Sequence, residues 1–121
     1  MVPQPYAAGG RPHSRPMAVY VDDAFVAGDW GRWTGGGHLQ ADTPEELLAF
    51  AARLGLAPAW LQARPGRPER DHYDLTATCR RRALELGAWS ETWREGVRRR
   101  QAARAASDRR ARPPDRPSAR R

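Results

Sequence analysis

The chain has 121 residues, which allows one domain, and all 21 of its basic residues are arginine, against 14 acidic residues. Its apolar runs are shorter than the ~18 residues of a membrane span, and its start lacks the apolar region of a secretory signal. A single cysteine excludes an internal disulfide and a cysteine-rich zinc site. We therefore expect a cytoplasmic protein with no membrane partner.

The positive charge is concentrated at the C-terminal end of the chain. Residues 94–121 carry a net charge of +8, whereas residues 17–93 carry −3. The overall basicity therefore says little about the ligand of the domain itself. The arginine-rich end is typical of non-specific binding to the phosphates of nucleic acid.

Pro-rich stretches at both ends predict the limits of the domain. Residues 1–16 contain four prolines and no apolar period, so we expect a disordered N-terminal extension. The globular domain is predicted over residues 17–98. An Arg-rich tail over residues 99–121 is expected to begin as a helix and to become disordered from about Arg109.

The first half of the domain contains two strand patterns separated by a glycine loop. Residues 17–21 form a short apolar and partly β-branched run that Asp22 and Asp23 end, which predicts a buried strand. Five glycines between residues 28 and 37 exclude a regular element there. Residues 38–41 predict a second short strand, and residues 88–90 a later one.

Three helices are predicted by capping residues and apolar spacing. Thr43 and Glu46 form a capping box for a helix over residues 44–54, which buries Leu47, Phe50, Ala51 and Leu54. A second helix is predicted over residues 75–86 and a third from Ser90 or Glu91. We expect core positions for three tryptophans: Trp60, Trp89 and Trp93. The fold class is α/β or α+β, a single domain in which a small mixed sheet of three or four short strands carries two or three helices.

Four stretches occur together in an order that resembles a known family. They are residues 17–23, reading MAVYVDD; Trp33 followed by His38-Leu39 and Ala41-Asp42-Thr43; the run from Glu46 to Leu56; and His72-Tyr73-Asp74 followed by Leu86-Gly87-Ala88. Over roughly residues 17–97 the chain is similar to a small uncharacterised family of actinobacterial and phage proteins, catalogued only as a domain of unknown function. The resemblance implies no activity.

The segment His72-Tyr73-Asp74 is the first candidate site. In an extended stretch, His72 and Asp74 face one side and Tyr73 the other. The following helix N-terminus suits an anion such as phosphate, and histidine can serve as acid, base or metal ligand. The structural alternative is that Asp74 caps the helix, His72 bonds a backbone carbonyl and Tyr73 packs in the core.

Asp22 and His38 are the other catalytic candidates. Asp22 ends a strand, and ligands bind beyond the carboxyl ends of strands in α/β sheets. His38 follows the flexible glycine loop. Two histidines with one or two carboxylates can hold a divalent metal, but no HExxH or paired CxxC motif supports one, so the cofactor is unknown. Trp33 on the loop and Tyr73 are candidate ligand contacts.

These patterns favour a hydrolase-like or ligand-binding domain that acts on a phosphate-bearing small molecule or nucleotide. The catalytic residues would be Asp22, His38, His72 and Asp74, with the two imidazoles within ~10 Å in one cleft. The alternative is a non-enzymatic accessory protein that docks on a protein partner or on nucleic acid through its basic C-terminal tail. Scattered histidines on a flat surface would favour that alternative.

Overall fold

Four short strands form one mixed sheet in the computed structural model, which describes residues 18–113. The strands are β1 (Val19–Val21), β2 (Gly37–Ala41), β3 (Tyr73–Leu75) and β4 (Trp89–Ser90). Their order is β3-β2-β1-β4. β2 runs antiparallel to both of its neighbours, whereas β4 pairs parallel with β1. This single small domain has the mixed sheet that the sequence predicts.

Three helices complete the fold, and a threonine caps each of them. The helices are α1 (Pro44–Arg53), α2 (Ala77–Glu85) and α3 (Trp93–Ala111). Their caps are Thr43, Thr76 and Thr92, whose hydroxyls each accept a backbone amide of the first turn. None of the helices in residues 18–113 combines the length and apolarity that crossing a membrane requires.

The core lies on one face of the sheet, against α1 and α2. Register partners share a face, so Val21, Leu39 and Tyr73 point to the same side across three strands. α1 adds Leu47, Phe50 and Ala51, as the apolar spacing predicts, and α2 adds Ala83. Leu54 and Leu86 are partly buried against this cluster.

The three tryptophans predicted for the core lie at the surface, so that prediction is wrong. Trp60, Trp89 and Trp93 are each at least half exposed. Trp89 pairs with Tyr20, so it shares the face of the sheet that is turned away from the core. Trp60 ends a short 3₁₀ turn, and Trp93 is the first residue of α3. The apolar residues next to these tryptophans in the sequence therefore did not indicate that the rings are buried.

Three helix boundaries also differ by two residues or more from the sequence expectation. α3 begins at Trp93 and not at Ser90 or Glu91, because Ser90 belongs to β4. Leu75 belongs to β3, so α2 begins two residues later, at Ala77. α3 continues to Ala111, past the point near Arg109 where order was expected to end. Residues 1–17 and 114–121 lie outside the described part of the chain, and so do the predictions made for them.

Candidate functional site

The candidate residues meet on the face of the sheet opposite the core. His38 in β2 and Asp74 in β3 are register partners, so their side chains point to the same side. His72 lies two residues before Asp74. It pairs with Gln62 in an isolated antiparallel β-bridge. The alternation expected from the sequence therefore brings His72 and Asp74 to one face and leaves Tyr73 on the other.

Asp22 is a buried carboxylate that holds His38. The residue is 1% exposed, and its Oδ1 accepts the backbone amides of His38 at 2.8 Å and Ala24 at 3.0 Å. Its Oδ2 lies 2.9 Å from Nδ1 of the His38 ring. Burial on its own would raise the pKa of Asp22, but these bonds outweigh it and the pKa lies below its ordinary value. An ionised carboxylate only accepts, so Nδ1 of His38 carries the proton.

His72 is held by a second acceptor. Its Nδ1 lies 3.0 Å from the carbonyl oxygen of Arg70, so this nitrogen also donates. Burial lowers the pKa of His72, with His38 and Arg64 contributing in the same direction, so the ring is neutral near pH 7. The two imidazoles pack edge to face with their centroids 4.9 Å apart. This is well inside the separation predicted for a shared cleft.

Asp74 completes the cluster between the two rings. Its Oδ1 lies 3.7 Å from Nε2 of His38 and 3.6 Å from Nε2 of His72. Its Oδ2 accepts the side-chain amide of Gln62 at 2.8 Å. Thr76, not Asp74, caps α2. One ligand atom from each of His38, His72 and Asp74 lies within 4.8 Å of the other two, so the three groups are close enough for side-chain rotation to bring them onto one metal ion.

Three arginines share a cavity with both histidines. The cavity measures about 350 Å³ and is lined by His38, Gln40, Arg64, Arg70, His72 and Arg100. Arg100 donates to the side-chain oxygen of Gln40 at 2.6 Å. Burial and the neighbouring Arg99 lower the pKa of Arg100. Within residues 18–113, no salt bridge engages Arg64, Arg70 or Arg100.

No sequence pattern pointed to the arginines or to Gln62. Arg64 and Arg70 lie in a polar loop, and the sequence alone does not show which charged residues of such a loop face a site. The loop returns to the sheet through the pairing of Gln62 with His72, for which the sequence carries no local signal. Arg100 comes from α3, which crosses this face of the sheet.

The two predicted ligand contacts lie in different places. Tyr73 is 1% exposed and packs in the core. Trp33 lines a second cavity of about 480 Å³ together with Arg32, Leu56, Trp60, Gln62, Asp74, Thr76 and Cys79. Asp74 and Gln62 thus connect the second cavity to the histidine cluster. Phe25 packs between Trp30 and His38, at ring distances of 5.1 and 5.0 Å.

A family model matches most of this chain. The sequence model described as "Protein of unknown function (DUF4031)" matches residues 19–103, which include every residue of the histidine cluster and the three cavity arginines. Neither a curated protein nor a solved structure matches the chain.

Proposed function

Because the chain belongs to the DUF4031 family, whose function is unknown, we propose its function from the geometry of the cleft. The domain binds a phosphate-bearing small molecule or nucleotide in the arginine-lined cavity, and the adjoining His38, His72 and Asp74 support its hydrolysis. The observation that carries this proposal is the lining of one cavity by three arginines and both histidines.

The charges of the cavity favour an anion. Arg64, Arg70 and Arg100 bring three permanent cations to one cavity, and no carboxylate stands among its lining residues. Like charges in one cleft repel each other, and an anion between them removes that cost. The guanidinium group is a fixed fork of donors that matches two oxygens of a phosphate. Two of these arginines, Arg64 and Arg70, are exposed on the segment that connects Gln62 with His72.

The histidine cluster supplies acceptors for the proton that a water molecule gives up when it attacks phosphorus. Both Nε2 atoms and Oδ1 of Asp74 are acceptors that lie close together beside the cavity. In hydrolysis, the water oxygen bonds to phosphorus and the bond from phosphorus to the leaving oxygen breaks. A proton of the water passes to the cluster, and the leaving oxygen takes up a proton. Cations beside the phosphoryl oxygens stabilise the charge that develops on them.

Binding is tested by calorimetry of the full chain with inorganic phosphate and with nucleoside mono- and triphosphates. Arg64→Gln and Arg70→Gln should each weaken binding roughly tenfold or more, since each removes a charge-assisted hydrogen bond. Arg82→Gln is the matched control, because Arg82 is exposed on α2 and lines none of the cavities described above. Equal weakening by all three variants, or no binding at millimolar ligand, would reject the proposal.

Hydrolysis is tested separately by the release of inorganic phosphate from the same nucleotides. Asp74→Asn should abolish release and leave binding within about twofold, because Asp74 does not line the arginine-lined cavity. His72→Gln should also abolish release. Binding without release by the unaltered chain would identify a ligand-binding domain and reject the hydrolytic step.

A second candidate function is docking on nucleic acid through α3. Four arginines of this helix are exposed: Arg94, Arg98, Arg109 and Arg110. Replacing these four with glutamine should lower the affinity for DNA and flatten its dependence on salt, because fewer counterions are released. Binding that is selective for sequence and unaffected by the replacements would instead place a nucleic-acid site on the sheet.

A further inference from the structure

We infer that Nε2 of His38, Nε2 of His72 and Oδ1 of Asp74 bind one divalent transition-metal ion. This goes beyond the phosphate proposal and is tested separately from it, because the three atoms belong to the sheet face and not to the arginines. With the ion bound, their lone pairs hold the metal and no longer accept a proton, so the attacking water of the proposed hydrolysis would be one activated by the metal.

The three atoms that face each other are all acceptors. Nδ1 of His38 donates to Asp22, and Nδ1 of His72 donates to the Arg70 carbonyl, since both partners can only accept. When both imidazoles are neutral, each carries its one proton on Nδ1, so each Nε2 presents a lone pair. The Nε2 atoms of His38 and His72 lie 3.7 and 3.6 Å from Oδ1 of Asp74. Three lone-pair atoms at such distances repel each other unless a cation or a donor lies among them.

Each of the three side chains has an outer partner that fixes its orientation. Asp22 holds His38, the carbonyl of Arg70 holds His72, and the side-chain amide of Gln62 holds Oδ2 of Asp74 at 2.8 Å. Metal-binding histidines usually donate their other ring nitrogen to a carboxylate or a backbone carbonyl, as both do here. Binding a metal therefore requires little reorganisation of these groups.

The distances fit a metal with short bonds. Two bonds of about 2.0–2.1 Å at the tetrahedral angle place the ligand atoms about 3.3 Å apart. The distances of 3.7 and 3.6 Å from Oδ1 of Asp74 to the two Nε2 atoms are slightly longer, and all three ligand atoms lie within 4.8 Å of one another, so a bound ion would draw them closer together. Two imidazoles and one carboxylate favour Zn²⁺, Co²⁺ or Fe²⁺ over Mg²⁺, which prefers oxygen ligands.

The cavity leaves room for a further ligand on the metal. His38 and His72 line the space of about 350 Å³ that the arginines border. Three protein ligands and an open position are typical of catalytic zinc sites, whereas structural sites are closed by four protein ligands. A water molecule or an anionic ligand held by the arginines can occupy that position.

The test is titration of chelator-treated full chain with Co²⁺ in a buffer without phosphate, followed by visible absorption, and with Zn²⁺ by calorimetry. We expect one ion per chain. His72→Gln and Asp74→Asn should each weaken binding about 100-fold or more, and Asp22→Asn about 10–100-fold through the position of His38. Mg²⁺ should compete poorly at equal concentration.

Two controls keep the result specific to these residues. His13→Gln removes the third histidine of the chain, and Cys79→Ser removes the one thiol; both should bind Co²⁺ as the unaltered chain does. Far-UV circular dichroism confirms that each variant is folded. The inference is rejected if no ion binds, or if folded His72→Gln and Asp74→Asn retain the affinity. Metal binding without phosphate binding would reject the proposed function alone, and the reverse would reject this inference alone.

Discussion

Both carboxylate oxygens of Asp22 bond the same residue, His38. Oδ1 accepts the backbone amide of His38 at 2.8 Å, and Oδ2 accepts the ring Nδ1–H at 2.9 Å. One side chain thereby fixes where β2 starts beside β1 and which nitrogen of the imidazole presents a lone pair to Asp74. The end of the first strand and the candidate site are thus joined by two bonds.

Asp22→Asn should reverse the tautomer of His38. If the side-chain oxygen of asparagine keeps the two backbone amides, its NH₂ group faces Nδ1 and donates to it, so the ring proton moves to Nε2. We expect ¹⁵N NMR of the histidine rings to show this change, together with a loss of about 1–3 kcal/mol in the free energy of unfolding.

Asp23→Asn is the matched control for this substitution. Asp23 accepts the backbone amide of Trp93 through Oδ1, an interaction that the amide oxygen of asparagine retains. An unchanged His38 tautomer in Asp22→Asn would contradict the role assigned to that carboxylate.

Gly37→Ala should disrupt the contact between β2 and the end of β1. A Cβ on Gly37 would overlap the backbone oxygen of Asp22 and crowd its carboxylate. The atom in the way is mainly a backbone oxygen, which cannot rotate aside. We therefore expect the free energy of unfolding to fall by about 4 kcal/mol, which is exceptional for a single substitution.

Gly66→Ala provides the comparison for Gly37→Ala. Gly66 has a positive φ of 78° but open space around it, so its replacement should cost only about 1 kcal/mol of backbone strain. Urea unfolding measures both variants. Similar losses of unfolding free energy in the two variants would show that the backbone accommodates a Cβ at position 37 at little cost.

Leu47→Ala and Leu48→Ala test which face of α1 packs on the sheet. Leu47 is 2% exposed and Leu48 is 41% exposed. We expect the first substitution to cost about 2–5 kcal/mol through lost burial and a cavity. The second should stay within about 0.5 kcal/mol. Equal effects in thermal or urea unfolding would overturn the assignment of the buried face.

Tyr20 should make the stability depend on pH in the alkaline range. Burial and the hydrogen bond to Asp42 raise its pKa from 10.0 to about 12. Because the folded state holds the phenol proton more tightly, this contribution is complete below pH 10 and is lost as the pH rises towards 12. The difference in free energy of unfolding between the unaltered chain and Tyr20→Phe should therefore shrink across this interval.

Phenylalanine at position 20 keeps the ring that the guanidinium of Arg99 covers at 3.8 Å, so the comparison isolates the hydroxyl. A difference that stays constant between pH 10 and 12 would show that the phenol is not held in its neutral form by folding.

The sequence by itself determined the features that depend on near neighbours. Thr43 and Glu46 with the apolar spacing that follows them specify α1, because caps and helical faces are set within a few residues. The alternation of His72, Tyr73 and Asp74 is equally local, and it predicted that the first and third side chains share a face. These patterns also predicted a mixed sheet with a few helices.

The tertiary structure decided which of these residues meet. His38 and Asp74 are 36 positions apart and become partners only through the register of β2 and β3. The arginines of the cavity come from a loop and from α3, and the exposed tryptophans depend on which face each element turns outward. Strand register and helix placement are set by the free energy of packing the whole core. They therefore cannot be predicted from any short stretch of sequence.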